Sequence, residues 1–269
     1  MDFGGVPLES LLLVAVLIAI VAFFYSNLGL GGGQLYVPIM VLLFPAAFVM
    51  KDIVPLSLCF AFATMAMSTY SHNRKKLVNF RVGLVLALFG LVGVVAGVLF
   101  TSVLPDWLVK VSFAAMLVIV ASKMMYDIFR KRKENPACPS TFSLKCWMTG
   151  AGVSILTGFL IGSFGIGGGV VSVPLIIYVY RFETRLAIGT SALLGAVLTP
   201  AALAAYALTA EGGVSIHWSL ALVLTPVVFV MAMIGSTWGL KKLKTDLVRT
   251  IFTCGVYLAA GLMIVNLLS

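Results

Sequence analysis

The chain has 269 residues, of which 61% are hydrophobic and 10% charged, with a formal net charge of +9 at pH 7. A soluble domain carries about 45–50% apolar and about 25% charged residues. The chain therefore lacks the charge to cover a water-facing surface, which excludes soluble enzymes, disulfide scaffolds and disordered chains. The basic excess falls in short clusters between apolar runs (Arg74–Lys76, Arg130–Lys133, Arg181 with Arg185, and Lys241, Lys242 and Lys244). That is the pattern of membrane loops and not of a nucleic-acid-binding surface.

The N-terminal Met1–Pro7 has no basic n-region, so the reading expects no cleaved signal peptide and an inserting first helix. Ser10–Met50 then runs 41 residues without Asp, Glu, Lys or Arg. As one helix it would be about 61 Å long at 1.5 Å per residue, twice the bilayer core of about 30 Å. Glycine costs about 1 kcal/mol in a helix interior, so Gly29–Gly33 predicts a break, with segments at about 8–27 and 34–50. Segments at 53–72, 80–104 and 107–129 follow. The polar stretch 131–144, with Pro136 and Pro139, reads as a cytoplasmic linker. The uncharged Cys146–Tyr180 splits in the same way into 146–163 and 169–180, and 186–209, 215–240 and 246–268 complete the chain. The strand alternation of an outer-membrane barrel is missing. The fold class is an all-α polytopic membrane protein.

The chain repeats itself. NLGLGGGQLYVP (27–38) aligns with SFGIGGGVVSVP (163–174), identical at six positions including four glycines and the proline. Ile53–Ser57 parallels Ala187–Ser191, and Val78–Arg81 parallels Val214–His217. Two membrane repeats, 1–130 and 145–269, are thus joined by the linker 131–144. Five segments per half is an odd number, so the two halves are expected to be inverted in the membrane, each opened by a glycine-broken helix pair. With the N-terminus outside, sixteen of the eighteen basic residues fall inside, and only Lys51 and Lys110 fall outside. Both termini are expected outside the cell membrane. Cys59, Cys138, Cys146 and Cys254 form no CxxC pair and no Cys/His metal spacing, so neither a disulfide nor a metal or other cofactor is expected.

In transporters built of inverted repeats, broken helices turn their N-terminal N–H groups toward an anion near the midplane. Gly31, Gly32 and Gly33, and Gly167, Gly168 and Gly169, precede helix starts, where about half a positive charge and unsatisfied donors accumulate. Asn27, Gln34 and Ser163 add polar side chains. Thr190 and Ser191 open the segment after the second break, with Ser57 as the counterpart in the first half. These hydroxyls could donate to an anion or bond back to the carbonyl four residues earlier. The expectation is that the two glycine clusters meet and hold one anionic head group between them. Gly83, Gly90, Gly93 and Gly97 share one helix face and read as close helix packing. His72 and His217 stand at helix ends, where an interfacial role is the simpler reading. All nine acidic residues lie at or near helix ends, which disfavours cation pathways and proton relays.

The sequence resembles the TauE/SafE-like sulfite exporter family, also called TSUP. The resemblance rests on the duplicated GGGxxxVP, on AIGTS at 187–191, and on the basic turn HNRKKLVNFR at 72–81. It implies a permease for small sulfur-containing anions such as sulfite, sulfoacetate and related organosulfonates, acting as exporter or facilitator. The first half departs from the pattern, with Val54-Pro55-Leu56-Ser57 where Gly189-Thr190-Ser191 stands in the second. An uptake symporter for a small carboxylate or sulfonate, and an accessory membrane subunit, are the alternatives. Neither HExxH nor GxSxG nor a His/Asp/Glu cluster is present, so an enzyme is not expected. The expected partners are the small anion and the lipid bilayer, with no nucleic acid; the assembly is left open, with a homodimer as one option.

Overall fold

The computed structural model describes residues 2–3, 6–44, 48–129, 144–209, 217–242 and 245–268. After a short antiparallel pairing of Asp2–Phe3 with Val6–Pro7, the described residues form ten helices. These are α1 (Leu8–Leu28), α2 (Gly33–Leu43), α3 (Met50–Asn73), α4 (Phe80–Val103), α5 (Asp106–Phe129), α6 (Leu144–Phe164), α7 (Gly169–Val179), α8 (Thr184–Leu208), α9 (Trp218–Lys242) and α10 (Thr245–Leu268). The expected segments are all found. One differs in length: α2 stops at Leu43, well short of residue 50. Phe44 precedes Pro45, whose ring disfavours the helical region for the residue before it, and Phe44 is extended at φ −84°, ψ 153°.

Helices α2 and α7 have 11 residues each, about 16 Å at 1.5 Å per residue. That is half of a bilayer core of about 30 Å. Both breaks are fully buried: Gly29–Gly33 and Gly165–Gly169 have no exposed residue. By contrast α1, α3, α4, α6, α8 and α9 are long and apolar enough to cross a membrane. Large apolar side chains face outward on α1 (Leu12, Val16), α4 (Leu88, Val92) and α9 (Leu222, Val230). Patches of that kind are tolerated where the solvent is lipid.

The two halves interlock. Helices α3 and α8 pack on each other at the centre, α4 lies against α6 and α8, and α9 lies against α1 and α3. Helix α5 pairs with α10. The fourth helix of each half therefore packs on the first helix of the other, so neither half buries its faces alone.

Between lipid-solvated helices the hydrophobic effect supplies little attraction, and close backbone packing takes its place. The α4–α6 seam is built that way. A Cβ on Gly93 would overlap the Ile155 carbonyl, and one on Gly158 would overlap the Gly90 carbonyl. Gly97 faces the Phe159 carbonyl and Gly162 the Val94 carbonyl. Hydroxyls cross the same seam, with Thr101 donating to the Ser163 carbonyl at 2.8 Å and Ser154 to that of Leu86. The opposite seam has Gly235 against the Phe23 carbonyl. At one end of the bundle, Lys51 Nζ donates to the Ser102 carbonyl at 2.7 Å. Asp106 accepts the Met50 N–H and pairs with Lys110 at 2.9 Å.

The glycine stripe is not uniform. A methyl on Gly83 would crowd the end of the Leu193 side chain at 2.8 Å, which can turn away, and would touch the Thr190 methyl at an ordinary 3.5 Å. Overpacking against backbone has no such escape and costs roughly 1–3 kcal/mol. Gly93→Ala and Gly158→Ala should each lower the melting temperature of the detergent-solubilised protein clearly, whereas Gly83→Ala should leave it within about a degree or two for a cost under about 0.5 kcal/mol.

Candidate functional site at the crossed glycine breaks

Each break is built from three left-handed glycines. Gly29 ends α1 at φ 61°, ψ 32°, its N–H bonded to the Tyr25 carbonyl, the usual way a helix satisfies a last carbonyl. Gly31 and Gly32 follow at φ 79° and 88°, and α2 begins at Gly33. In the second half Gly165, Gly167 and Gly168 repeat the pattern at φ 68°, 71° and 78°. The left-handed region costs a residue with a Cβ about 1–2 kcal/mol, which accounts for the duplicated glycines locally.

The second reason is tertiary. The two breaks cross in direct contact: a Cβ on Gly31 would stand 2.7 Å from the Gly167 Cα, and one on Gly167 2.7 Å from the Gly31 Cα. Gly33 abuts the Gly165 carbonyl, and Gly169 abuts that of Gly29. Ser57 Oγ donates to the Gly165 carbonyl at 3.0 Å, and its counterpart Ser191 Oγ to the Gly29 carbonyl at 3.5 Å. Every contact recurs with the halves exchanged, which is how a two-fold contact reads in residue pairs. The two glycine clusters do meet, as expected. The meeting is so close that no head group fits between Gly31 and Gly167, so any ligand must lie beside the contact.

Helix starts leave N–H groups without intrahelical acceptors. In α2 the Leu35 and Tyr36 N–H groups reach the Gly32 carbonyl at 2.9 and 3.0 Å, while those of Gly33 and Gln34 have no protein acceptor among the described residues. Gln34 is wholly buried, and among the described residues neither its Oε1 nor its Nε2 has a hydrogen-bond partner. Helical side chains lean toward the N-terminus of their helix, which carries this amide over the break. Asn27, 9% exposed on the last turn of α1, donates through Nδ2 to the Phe23 carbonyl at 3.1 Å and leaves Oδ1 without a partner among the described residues. A buried amide without partners costs about 1–3 kcal/mol. Such groups point to a ligand.

The second half is closed by comparison. Val170 occupies the position equivalent to Gln34. Ser163 Oγ donates to the Gly97 carbonyl at 3.3 Å. Ser172 bonds the Gly168 carbonyl at 3.0 Å and shares a 2.6 Å hydrogen bond with Ser191. Thr190 is placed away from this group: its Oγ1 accepts the Asn79 N–H at 3.0 Å and donates to the Leu186 carbonyl at 2.8 Å. With Gly189 against the Leu77 carbonyl, Thr190 docks the α3–α4 turn on α8. Sequence reasoning missed the burial of His72. It stands at the end of α3 and is fully buried by protein, with Nδ1 on the Ser68 carbonyl at 2.8 Å and Nε2 without a partner among the described residues. The basic turn beside it gave no hint of that.

Comparison with known proteins places this architecture. The family model for the sulfite exporter TauE/SafE matches residues 13–263. The probable membrane transporter protein YunE of Bacillus subtilis (strain 168) is 26% identical over 199 residues, covering 68% of this chain and 72% of YunE. The probable membrane transporter protein MJ0441 of Methanocaldococcus jannaschii is 28% identical over 175 residues, covering 62% of this chain and 63% of that protein. No solved structure matches the chain. With ten helices among the described residues, a duplicated glycine break and a family match that runs nearly end to end, the chain belongs to the sulfite exporter TauE/SafE family of membrane transporters.

Proposed function

We propose that the protein is a permease that exports small sulfur-containing anions such as sulfite, sulfoacetate or related organosulfonates, with the anion bound at the first glycine break. The observation that carries the reading is Gln34: a wholly buried side-chain amide without partners among the described residues, beside two backbone N–H groups that likewise have no acceptor there, at a helix start. A helix N-terminus carries about half a positive charge, and buried donors to an anion contribute about 1.5–3 kcal/mol each. Backbone and amide donors bind an anion without a fixed buried cation, which would be costly in lipid and slow to release its ligand. The second break supports the first by holding it in shape.

The halves are inverted in this reading, with both termini outside and the linker in the cytoplasm. Sixteen of eighteen basic residues then face inward. The two exceptions are each held locally, Lys51 on the Ser102 carbonyl and Lys110 on Asp106. An inside-negative potential drives a monoanion outward by about 2.3 kcal/mol per 100 mV, so export needs no coupled ion.

Glycine variants do not isolate binding from folding. A Cβ on Gly32 would stand 2.6 Å from the Tyr36 ring on a backbone at φ 88°, so Gly32→Val loses structure first. Gln34→Leu is the cleaner variant. It should cut counterflow of labelled sulfite or sulfoacetate in proteoliposomes at least tenfold while raising the melting temperature, because removing a buried amide without partners relieves about 1–3 kcal/mol. Wild-type flux in Gln34→Leu would place the site elsewhere.

Orientation is tested on a variant that keeps Cys138 as its single cysteine. An impermeant maleimide added to whole cells should leave Cys138 unmodified until the membrane is opened, and should label a cysteine placed at Thr209. Labelling of Cys138 in intact cells would reverse the assignment.

A further inference from the structure

The two breaks share their backbone but not their polar side chains, and the difference specifies the ligand. In the second half Val170 is apolar, and the Ser163, Ser172 and Ser191 hydroxyls are engaged by protein groups. In the first half Gln34 keeps both ends of its amide open, and Asn27 keeps its oxygen open. The assignment of Asn27 is fixed by chemistry: the atom facing the Phe23 carbonyl at 3.1 Å must be the donor nitrogen, so the open atom is an acceptor. The first break therefore offers donors (the Gly33 and Gln34 N–H groups and Gln34 Nε2) together with two buried acceptors, Gln34 Oε1 and Asn27 Oδ1.

A fully deprotonated anion has only acceptors. It would satisfy the donors and leave both buried oxygens unpaired against negative charge, which a low-dielectric interior penalises. The helix ends repeat the same polarity. Asn27 stands on the last turn of α1, the negative end of that helix, and Gln34 on the first turn of α2, the positive end. A break of this kind suits a ligand with a negative group at one end and a hydrogen-bond donor at the other.

We infer that the first break is the single substrate site of the protein and is selective for a small anion that also carries an O–H or N–H donor. Asn27 Oδ1 and Gln34 Oε1 are the acceptors that read this donor. The inference rests on the reading of the break as the anion site and narrows its ligand class: among the anions proposed above it favours hydrogensulfite and hydroxylated organosulfonates over the donor-free sulfoacetate dianion. A site built to bond a hydroxyl rejects the analogue that lacks it, because its own buried groups are then left unpaired.

The test uses two sulfonates of matched charge and size, 2-hydroxyethanesulfonate and propane-1-sulfonate, on the full chain purified and reconstituted in proteoliposomes. Each is measured as a competitor of labelled sulfite flux and as a stabiliser in thermal melts. The hydroxylated sulfonate should compete at least tenfold more strongly. Asn27→Leu should erase most of that preference by weakening the hydroxylated compound alone. Asn27→Ser, which introduces the residue of the second half, should do the same if the leucine variant does not fold. Val170→Gln should not create a second binding event. Equal competition by the two sulfonates in the wild type would overturn the donor reading while Gln34→Leu, by weakening both, would still mark the break as the anion site. If Gln34→Leu left both sulfonates unaffected, the site and the inference would fall together.

Discussion

The approach of Gly31 to Gly167 is the contact around which the molecule is arranged. Two helix breaks pass each other with no side chain between them, and both must adopt left-handed backbone while doing so. Non-helical backbone inside a membrane survives only where protein or a watery cavity covers it. Here each break covers the other. The crossing forces α1 to α2 and α6 to α7 to turn back inside the bundle, which limits α2 and α7 to about 16 Å at 1.5 Å per residue and leaves their N-termini buried. A buried helix start is a concentration of donors and positive potential, so the same geometry that closes the core also creates its most polar point.

The remaining polar groups show what the protein does when no ligand is intended. Hydroxyls on the central helices bond back into their own backbone: Thr64 to Phe60, Thr199 to Gly195 and Thr190 to Leu186, at 2.8–2.9 Å. Others tie one half to the other, as Ser57 does to Gly165 and Ser71 to Ser236 at 2.6 Å. Among the described residues the exceptions include His72 Nε2, Thr225 Oγ1, and the amides of Gln34 and Asn27, which stand at a glycine break. Natural cores tolerate polar groups without partners mainly where function requires them, and both amides lie beside the same break.

Symmetry in this chain is a matter of backbone more than of side chains. The contacts at the breaks are reciprocal, and so is the placement of α4 on α6 and α9 on α1. The seams differ: α4 and α6 meet through several glycines, whereas α9 and α1 meet through Gly235. The breaks differ in the same way: the first carries the open amide of Gln34 where the second has Val170, and the hydroxyls beside the second are engaged by protein groups.

Much of the fold was legible in the sequence because lipid imposes its rules on the linear chain. Runs without charge must become helices of bilayer length, glycine clusters must break them, and basic loops must collect on one side; α1, α3 to α6 and α8 to α10 follow from these alone, and so does the duplication. The candidate site was legible only as a neighbourhood. Spacing placed Gly31 to Gly33 and Gly167 to Gly169 at helix starts, yet it could not show that the two clusters touch and exclude a head group, because that distance is set by α3 packing on α8 across 134 residues of sequence separation between Ser57 and Ser191. Nor could it separate Thr190, spent on docking the α3–α4 turn, from Gln34, left open. Whether a polar side chain finds a partner depends on neighbours from other helices, and those neighbours exist only once the bundle has closed.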